Sequence, residues 1–343
     1  MNPTRTFASD NYSGVHPNVM QLLHDLHSQG HAAAYGADTI TQRTKQLFDH
    51  TFGPDIAVLF VPTGTGANVL GLKLILQHPY EAVVTSDVSH VFEEETGALA
   101  MHTGAQLFTI AHNDGKVDLP ALQQEVALRK ELGFHSSVPK ALSIANSTEY
   151  GTCYQPEALR QLADFCHTND MYLHMDGCRL ANAAAALGCD LRSLTRDAGV
   201  DVLSFGGAKN GLMNAEAVVI FNAPPSDRLR MQKQTMQLTS KMRYLAGQFI
   251  PYLTDQLWLQ NAQHTNQLAR QLADGLLAKL GARIAFTRPV ETNQVFCILP
   301  DAIVRKLRRA GYSFYDWNSP GEVRLVTSWD NTAGDIQNFL SAI

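Results

Sequence analysis

"AVLFVPTGTGANVLGLKLIL", residues 57–76, decides the fold. Ala57–Val61 is a short, unbroken apolar run, as expected of a strand buried on both faces. Small and polar residues follow in Pro62–Asn68, and Ala67–Leu76 then carries apolar residues at helical spacing. A buried strand leading straight into a helix is half of a crossover unit, so a parallel sheet is expected.

The alternation continues to about residue 222. Further strands are expected at Ala82–Thr85, Gln106–Ile110, Lys140–Asn146, Tyr172–Met175, Val200–Phe205 and Ala217–Phe221. Helices are expected at Leu119–Leu132, Pro156–Asn169 and Gly177–Leu187. The pattern predicts an α/β fold: a large domain, residues 51–225, with a mostly parallel seven-stranded sheet flanked by helices. Residues 1–50 read as an N-terminal arm plus a helix, and 226–281 as linking helices. Residues 282–343 read as a small C-terminal α/β domain, with strands at Ile284–Phe286, Gln294–Leu299 and Val323–Ser328 and a helix at Ala302–Ala310.

Composition narrows the function. The 343 residues are 45% hydrophobic and 17% charged, with a formal charge of −5, as in a soluble globular protein. No basic stretch is long enough to follow a nucleic-acid backbone. No apolar run nears the ~18 residues of a membrane span, and the first residues lack the apolar segment of a signal peptide. Five cysteines, an odd number without a CxxC pair, suit reduced thiols in a cytoplasm. There is no HExxH and no zinc-spaced Cys/His cluster, so no metal is expected.

Ligands collect at the carboxyl ends of strands in open α/β sheets, so the residues standing there carry the chemistry. After the first strand, Gly64, Thr65 and Gly66 offer backbone donors at a helix N-terminus, suited to a phosphate; a plain strand-to-helix turn is the competing reading. After the second stands His90, a functional imidazole or a structural one, followed by Glu93, Glu94 and Glu95, which suit the start of a helix. Asp176 ends the Tyr172–Met175 strand at a buried edge and needs a cationic partner or several donors. Arg179, three residues on, is a candidate for that partner; a structural Asp–Arg pair or a helix cap would also account for Asp176.

Lys209 lies in "SFGGAKNG", residues 204–211, behind two glycines that leave room for a flat ligand. A lysine becomes a nucleophile when desolvation or a neighbouring cation lowers its pKa. An anion cradle, an imidazole, a buried carboxylate and a sheltered lysine at one sheet edge are the set that pyridoxal 5′-phosphate requires.

Six stretches stand in the order found in the threonine aldolases of the β-eliminating lyase group: "FASDNYSG", "AYGAD", "PTGTGAN", "SH", "HMDGCRLANA" and "SFGGAKNG". The likeness runs from about Phe7 to "RLVTSWD" at Arg324–Asp330, and it resembles the bacterial low-specificity branch. The resemblance implies the aspartate-aminotransferase-like fold and pyridoxal-phosphate-dependent cleavage of β-hydroxy-α-amino acids to glycine and an aldehyde. It implies Lys209 as the Schiff-base lysine, Asp176 on the pyridine nitrogen, His90 on the ring face, and Gly64 and Thr65 on the phosphate. Arg179 and Arg324 would hold the substrate carboxylate, with Ser9 assisting. Tyr35 and Arg243 would reach the site of a neighbouring subunit in a homodimer or homotetramer.

Some positions depart from the wider family. Ala208 stands where a Ser or Thr often precedes the lysine. "NSTEY", residues 146–150, stands where relatives read "ENTHN", which puts Glu149 near a hydroxyl-facing position. His135 of "GFHSS" matches a site histidine of the closer branch. The base that takes the β-hydroxyl proton is left open between His90 and a water held by His90 and His135. A β-elimination or transamination on the same fold is the alternative reading; a catalytically silent ligand-binding protein is the second.

Overall fold

A computed structural model describes residues 6–343, so the first five residues of the expected arm lie outside the described residues. Helices α1 (Pro17–Ser28) and α2 (Thr39–Phe52) follow the arm, where one helix was expected. Asp38 starts α2 by accepting the Thr41 N–H at 2.7 Å, an ordinary helix cap.

The large sheet contains β1 (Ala57–Val61), β2 (Glu81–Ser86), β3 (Gln106–Ile110), β6 (Val138–Ala145), β7 (Tyr172–Gly177), β8 (Val202–Gly206) and β9 (Glu216–Ile220). The two-residue strands β4 (His112–Asn113) and β5 (Lys116–Val117) form a separate hairpin. The order is β1-β9-β8-β7-β6-β2-β3. Neighbours from β8 to β3 are parallel, and β9 is antiparallel to both β8 and β1. All strands but β9 therefore point the same way, and their carboxyl ends share one edge.

Helix α3 (Gly64–Ile75) packs on one face of this sheet, with α4 (His90–Glu93) and α5 (Ala98–Thr103) nearby in sequence. Helices α6 (Leu119–Leu132), α7 (Pro156–Thr168) and α8 (Leu180–Leu187) connect the later strands. The strands β6 to β9 are buried along nearly their whole length, which is why they read as continuous apolar runs. Helix α8 begins three residues later than expected, because β7 continues through Gly177 before the chain turns.

The stretch after residue 225 forms α9 (Arg228–Gln234), α10 (Met242–Gly247), α11 (Phe249–Thr254) and the long α12 (Leu257–Leu280). A second sheet follows, order β10-β11-β13-β12, from β10 (Ala285–Phe286), β11 (Gln294–Ile298), β12 (Tyr315–Asp316) and β13 (Glu322–Val326), with α13 (Asp301–Arg309) and α14 (Ala333–Ser341). It has its own apolar core around Leu272, Val295, Leu325 and Phe339.

The arm joins the two ends of the chain. Phe7 is fully buried in that second core, its ring 4.9 Å from Phe339. Its N–H donates to Ser313 O and its carbonyl accepts the Val326 N–H. This anchoring fixes the next residues, Ser9 and Asp10, between the two sheets. No helix among the described residues is long and apolar enough to cross a membrane, and all five cysteines are unpaired.

Candidate active site

A cavity of about 510 Å³ opens at the carboxyl edge of the large sheet, against the second sheet. His90, Arg179, Lys209, Arg324 and Ser9 all line it. A small inner chamber of about 40 Å³ shares His90, Arg179 and Lys209 and reaches Asp176. Residues more than 300 positions apart in the chain thus meet in one hollow.

Lys209 lies on the turn that follows β8 and is half-buried. Its ammonium has no hydrogen-bond or ion-pair partner among the described residues, yet Asp10, Asp176 and Glu216 all feel its charge. The turn is held from beneath by Glu216, the first residue of β9, which accepts the Gly207 N–H at 2.9 Å. Burial pushes the Glu216 carboxyl up to about 7, against the Gly207 and Ala208 N–H groups and the Lys209 charge.

The two glycines of this turn make room for the protein's own backbone. A Cβ at Gly206 would stand 2.5 Å from Cys178 Cα, and one at Gly207 would stand 2.8 Å from Ala215 O. The small residues therefore let β8 close against the end of β7, which brings Lys209 beside Asp176.

Asp176 is the next-to-last residue of β7, paired with Ala145 of β6 and Ser204 of β8. Two residues earlier on the same face, His174 lies between Ser143 Oγ at 2.9 Å and Ser204 Oγ at 3.0 Å. Burial pushes its imidazole down to about 4, so it is a neutral brace across three strands. Asp176 accepts hydrogen bonds from Asn68 Nδ2 at 2.8 Å and Cys178 N at 2.9 Å. Burial opposes its ionisation, but Lys209, those two donors and His90 outweigh it, and its pKa lies below the usual carboxylate value.

Arg179 is not the partner of Asp176. Its Nε and Nη2 donate to the two oxygens of Asp10 at 2.7 and 2.8 Å. The arm supplies the counter-charge, and Asn293 Nδ2 adds a third hydrogen bond to Asp10 at 3.1 Å. Arg324 lies beside this pair, over the rings of Trp317 (4.7 Å) and Tyr315 (5.1 Å). Its Nε is buried without a partner among the described residues, and burial and the Arg179 charge lower its pKa. Two cations face the same cavity, one of them without a counter-ion among the described residues, which favours an anion between them.

His90 starts α4. Its Nδ1 is 2.9 Å from Glu95 Oε1 and its Nε2 3.4 Å from Glu94 Oε2. The Glu95 hydrogen bond raises its pKa despite partial burial. Asn68 Nδ2 donates to Glu95 Oε1 as well as to Asp176, so a hydrogen-bonded chain runs His90–Glu95–Asn68–Asp176. His90, Glu95 and Asp176 also present ligand atoms within 4.8 Å of one another, the one such trio among the described residues. The Asn68 amide and the His90 ring account for that gathering without an ion.

Gly64 and Thr65 open α3 beside Cys178, and Thr63 Oγ1 caps the helix by accepting the Gly66 N–H at 3.0 Å. That leaves the N–H groups of Gly64 and Thr65 free for an anion, whereas Gly66 serves the cap.

Five expected site residues are not in the lining of either hollow: Gly64 and Thr65, of which Gly64 adjoins Cys178 of the inner chamber, and three that lie elsewhere. His135 stands on an exposed turn before β6 begins, at the opposite edge of the sheet. Tyr35 is 49% exposed, with its N–H donating to Ser240 O. Arg243 donates to Gly30 O at 2.9 Å and lies over the Tyr244 ring. Conversely, Asp10, Asn68, Glu95 and Glu216 enter the site without having been singled out for it. Asp10 and Asn68 lie inside quoted motifs, and Glu95 was read as one of three helix-start acids. The three acids do not start a helix: α4 begins at His90 and ends at Glu93, and Glu93 and Glu94 are exposed whereas Glu95 is 2% exposed.

Comparison with known proteins agrees with this geometry. The model of the β-eliminating lyase family matches residues 6–302. Over 95% of this chain and 93% of its own length, the low specificity L-threonine aldolase of Pseudomonas aeruginosa is 37% identical. A low specificity L-threonine aldolase of a Pseudomonas species is 38% identical over 99% of both. The solved threonine aldolase of Leishmania major superposes with a TM-score of 0.91 at 29% identity, covering 98% of this chain and 97% of that one. The lysine turn, the braced carboxylate and the paired guanidiniums thus stand on a scaffold whose family is established: this chain belongs to the β-eliminating lyases.

Proposed function

We propose that the protein cleaves L-threonine, L-allo-threonine and related β-hydroxy-α-amino acids such as phenylserine into glycine and an aldehyde, using pyridoxal 5′-phosphate. The unpaired Lys209 ammonium, between the ionised Asp176 and the Arg179–Arg324 pair, is the observation that carries the reading. The relatives named above support the reaction class.

The donor set fits the cofactor. Lys209 offers an amine to hold it covalently, and Asp176 is kept anionic to keep a ring nitrogen protonated. His90 offers a ring face, and the N–H groups of Gly64 and Thr65 are free for its phosphate. When bound, pyridoxal phosphate supplies the electron sink for a bond broken at the amino acid's Cα.

The chain's own residues do the rest. Arg324, with a free Nε, and Arg179, held by Asp10, clamp the substrate carboxylate, with Ser9 at the same wall. Clamping at one end sets which bond of Cα stands across the cofactor ring, and orientation of this kind accounts for a large share of catalysis. Exposed Tyr35 and outlying Arg243 support a homodimer or homotetramer in which they serve a neighbouring copy. The unpaired cysteines support a cytoplasmic location.

Aldehyde release measured side by side on L-threonine, L-allo-threonine and L-phenylserine tests the reading. Glycine and aldehyde in equal amounts are expected. Ammonia or a keto acid in their place would show β-elimination or transamination instead.

A further inference from the structure

Breaking a Cα–Cβ bond beside a hydroxyl requires something to take the hydroxyl proton, and both histidines considered for it are poorly placed. His135 is at the wrong edge of the sheet. His90 faces a carboxylate oxygen at each ring nitrogen, Glu95 at 2.9 Å and Glu94 at 3.4 Å. That arrangement favours the protonated imidazolium, which has no lone pair to offer.

Glu149 is placed differently. It follows the end of β6 and lines both the outer cavity and the inner chamber, beside Lys209, His90 and Arg179. One oxygen, Oε1, accepts the His90 backbone N–H at 3.0 Å. No other described residue hydrogen-bonds the second oxygen, Oε2, and it is not among the fully buried unpartnered atoms. The backbone bond fixes the carboxylate and leaves the second oxygen for a ligand.

We propose that Glu149 is the catalytic base for the substrate β-hydroxyl, with Oε2 accepting the hydroxyl proton as the Cα–Cβ bond breaks. The inference rests on the aldolase reading of the site. The O–H proton passes to Glu149, and the O–H bonding pair becomes the second bond of the aldehyde carbonyl. The Cα–Cβ pair remains with Cα, where pyridoxal phosphate would supply the electron sink, until a proton arrives there to give glycine. One proton leaves oxygen and one joins carbon, so no oxidant or reductant is needed. His90 then acts by holding Glu149 and covering the cofactor.

The surroundings suit a base working near neutral pH. Burial pushes the Glu149 carboxyl up to about 7, against hydrogen bonds from its own N–H and that of His90. The charged or titratable groups facing it are Asp176 and His90, which act on its pKa, Lys209 and Arg179, which share the cavity, and Tyr154, which feels its charge. A base must be ionised to act, so kcat is expected to rise with pH through this value.

The test compares wild-type holoenzyme with Glu149→Gln, whose amide oxygen still accepts the His90 N–H. Two rates are read on each: aldehyde release from L-threonine, and exchange of the glycine α-proton in D2O, which involves no hydroxyl. In the variant, kcat for aldehyde release should fall by roughly 10²–10⁴-fold, glycine exchange should stay within about threefold, and the rise of kcat near neutral pH should flatten. Equal loss of both rates would mean a structural role, and retained aldehyde release would mean another base; either overturns the proposal. A wild-type protein that exchanges glycine but releases no aldehyde would refute the aldolase reading itself, and Glu149's role with it.

Discussion

Asp10 and Arg179 meet through two parallel hydrogen bonds, 2.7 and 2.8 Å long, across 169 positions of sequence. The carboxylate is 1% exposed. A cation that must bind a carboxylate in a cavity has to be aimed, and a fork-to-fork pair fixes a guanidinium plane. Burial would raise the Asp10 pKa, but Arg179 more than offsets it and holds it below the usual range. The stabilisation is therefore present above pH ~4 and is lost as pH falls through the lowered pKa.

Asp10→Asn keeps the shape and removes the charge. Breaking a buried ion pair costs about 3–5 kcal/mol of stability, and Arg179 is no longer held in one orientation. Glycine affinity, read from its effect on the visible cofactor band, should fall roughly tenfold or more, corresponding to at least ~1.4 kcal/mol. The cofactor band itself should persist. Unchanged glycine affinity would show that Arg179 does not depend on the arm.

Asn68 connects the buried Glu95 to Asp176 of the inner chamber, donating to each at 2.8 Å. Removing a hydrogen bond to a charged group costs about 1.5–3 kcal/mol. Asn68→Ala should weaken cofactor retention by roughly 10–100-fold, measured as the dissociation constant in equilibrium dialysis. Because Asp176 loses a donor to its charged form, its pKa should rise and the loss should be worse at low pH. Wild-type retention at all pH values would count against any role for the amide in holding Asp176.

The fold was legible in the sequence because most strands of the large sheet are buried on both faces and its main crossover helices run for two turns or more. Ala57–Val61, Gln106–Ile110 and Leu119–Leu132 appear with the bounds their pattern suggests. Strands of two residues, such as β4, β5 and β12, carry no periodicity and were missed. The chemistry divides in the same way. Lys209, Asp176 and His90 stand next to strand ends, a local signal. The Asp10–Arg179 and Asn68–Asp176 pairs depend on contacts 169 and 108 positions apart, which no spacing announces. The three-residue spacing from Asp176 to Arg179 suggested a pair, but the turn at Cys178 directs the guanidinium toward the arm instead. His135 stands apart from the cavity for a topological reason: it precedes its strand, whereas ligands gather where strands end.

Lys209→Ala removes the only amine that lines the inner chamber among the described residues. The variant should lack the visible absorbance of covalently held cofactor and should release no aldehyde from L-threonine above background. Lys209 is also the largest influence offsetting the burial of Asp176, so the variant without cofactor should unfold more readily than wild type at neutral pH, where Asp176 is ionised. Aldehyde release persisting in this variant would contradict the assignment.

Glu216 makes the turn a pH-dependent element. Its carboxyl is 4% exposed and titrates at about 7 in the folded protein, against 4.5 for an ordinary glutamate. The native state therefore keeps this proton in a window where the unfolded chain has lost it. Raising the pH from 4.5 through 7 lowers stability, by roughly 3 kcal/mol once ionisation is complete. Glu216→Gln still accepts the Gly207 N–H but never ionises. Its unfolding free energy, compared with wild type in urea and without cofactor, should match most closely near pH 5 and gain steadily up to pH 8. Groups common to both proteins, including Glu149 and His174, cancel in that difference. Two stability curves that stay parallel from pH 5 to pH 8 would mean that Glu216 is ionised throughout, with the Lys209 charge and the turn's N–H groups fully offsetting its burial.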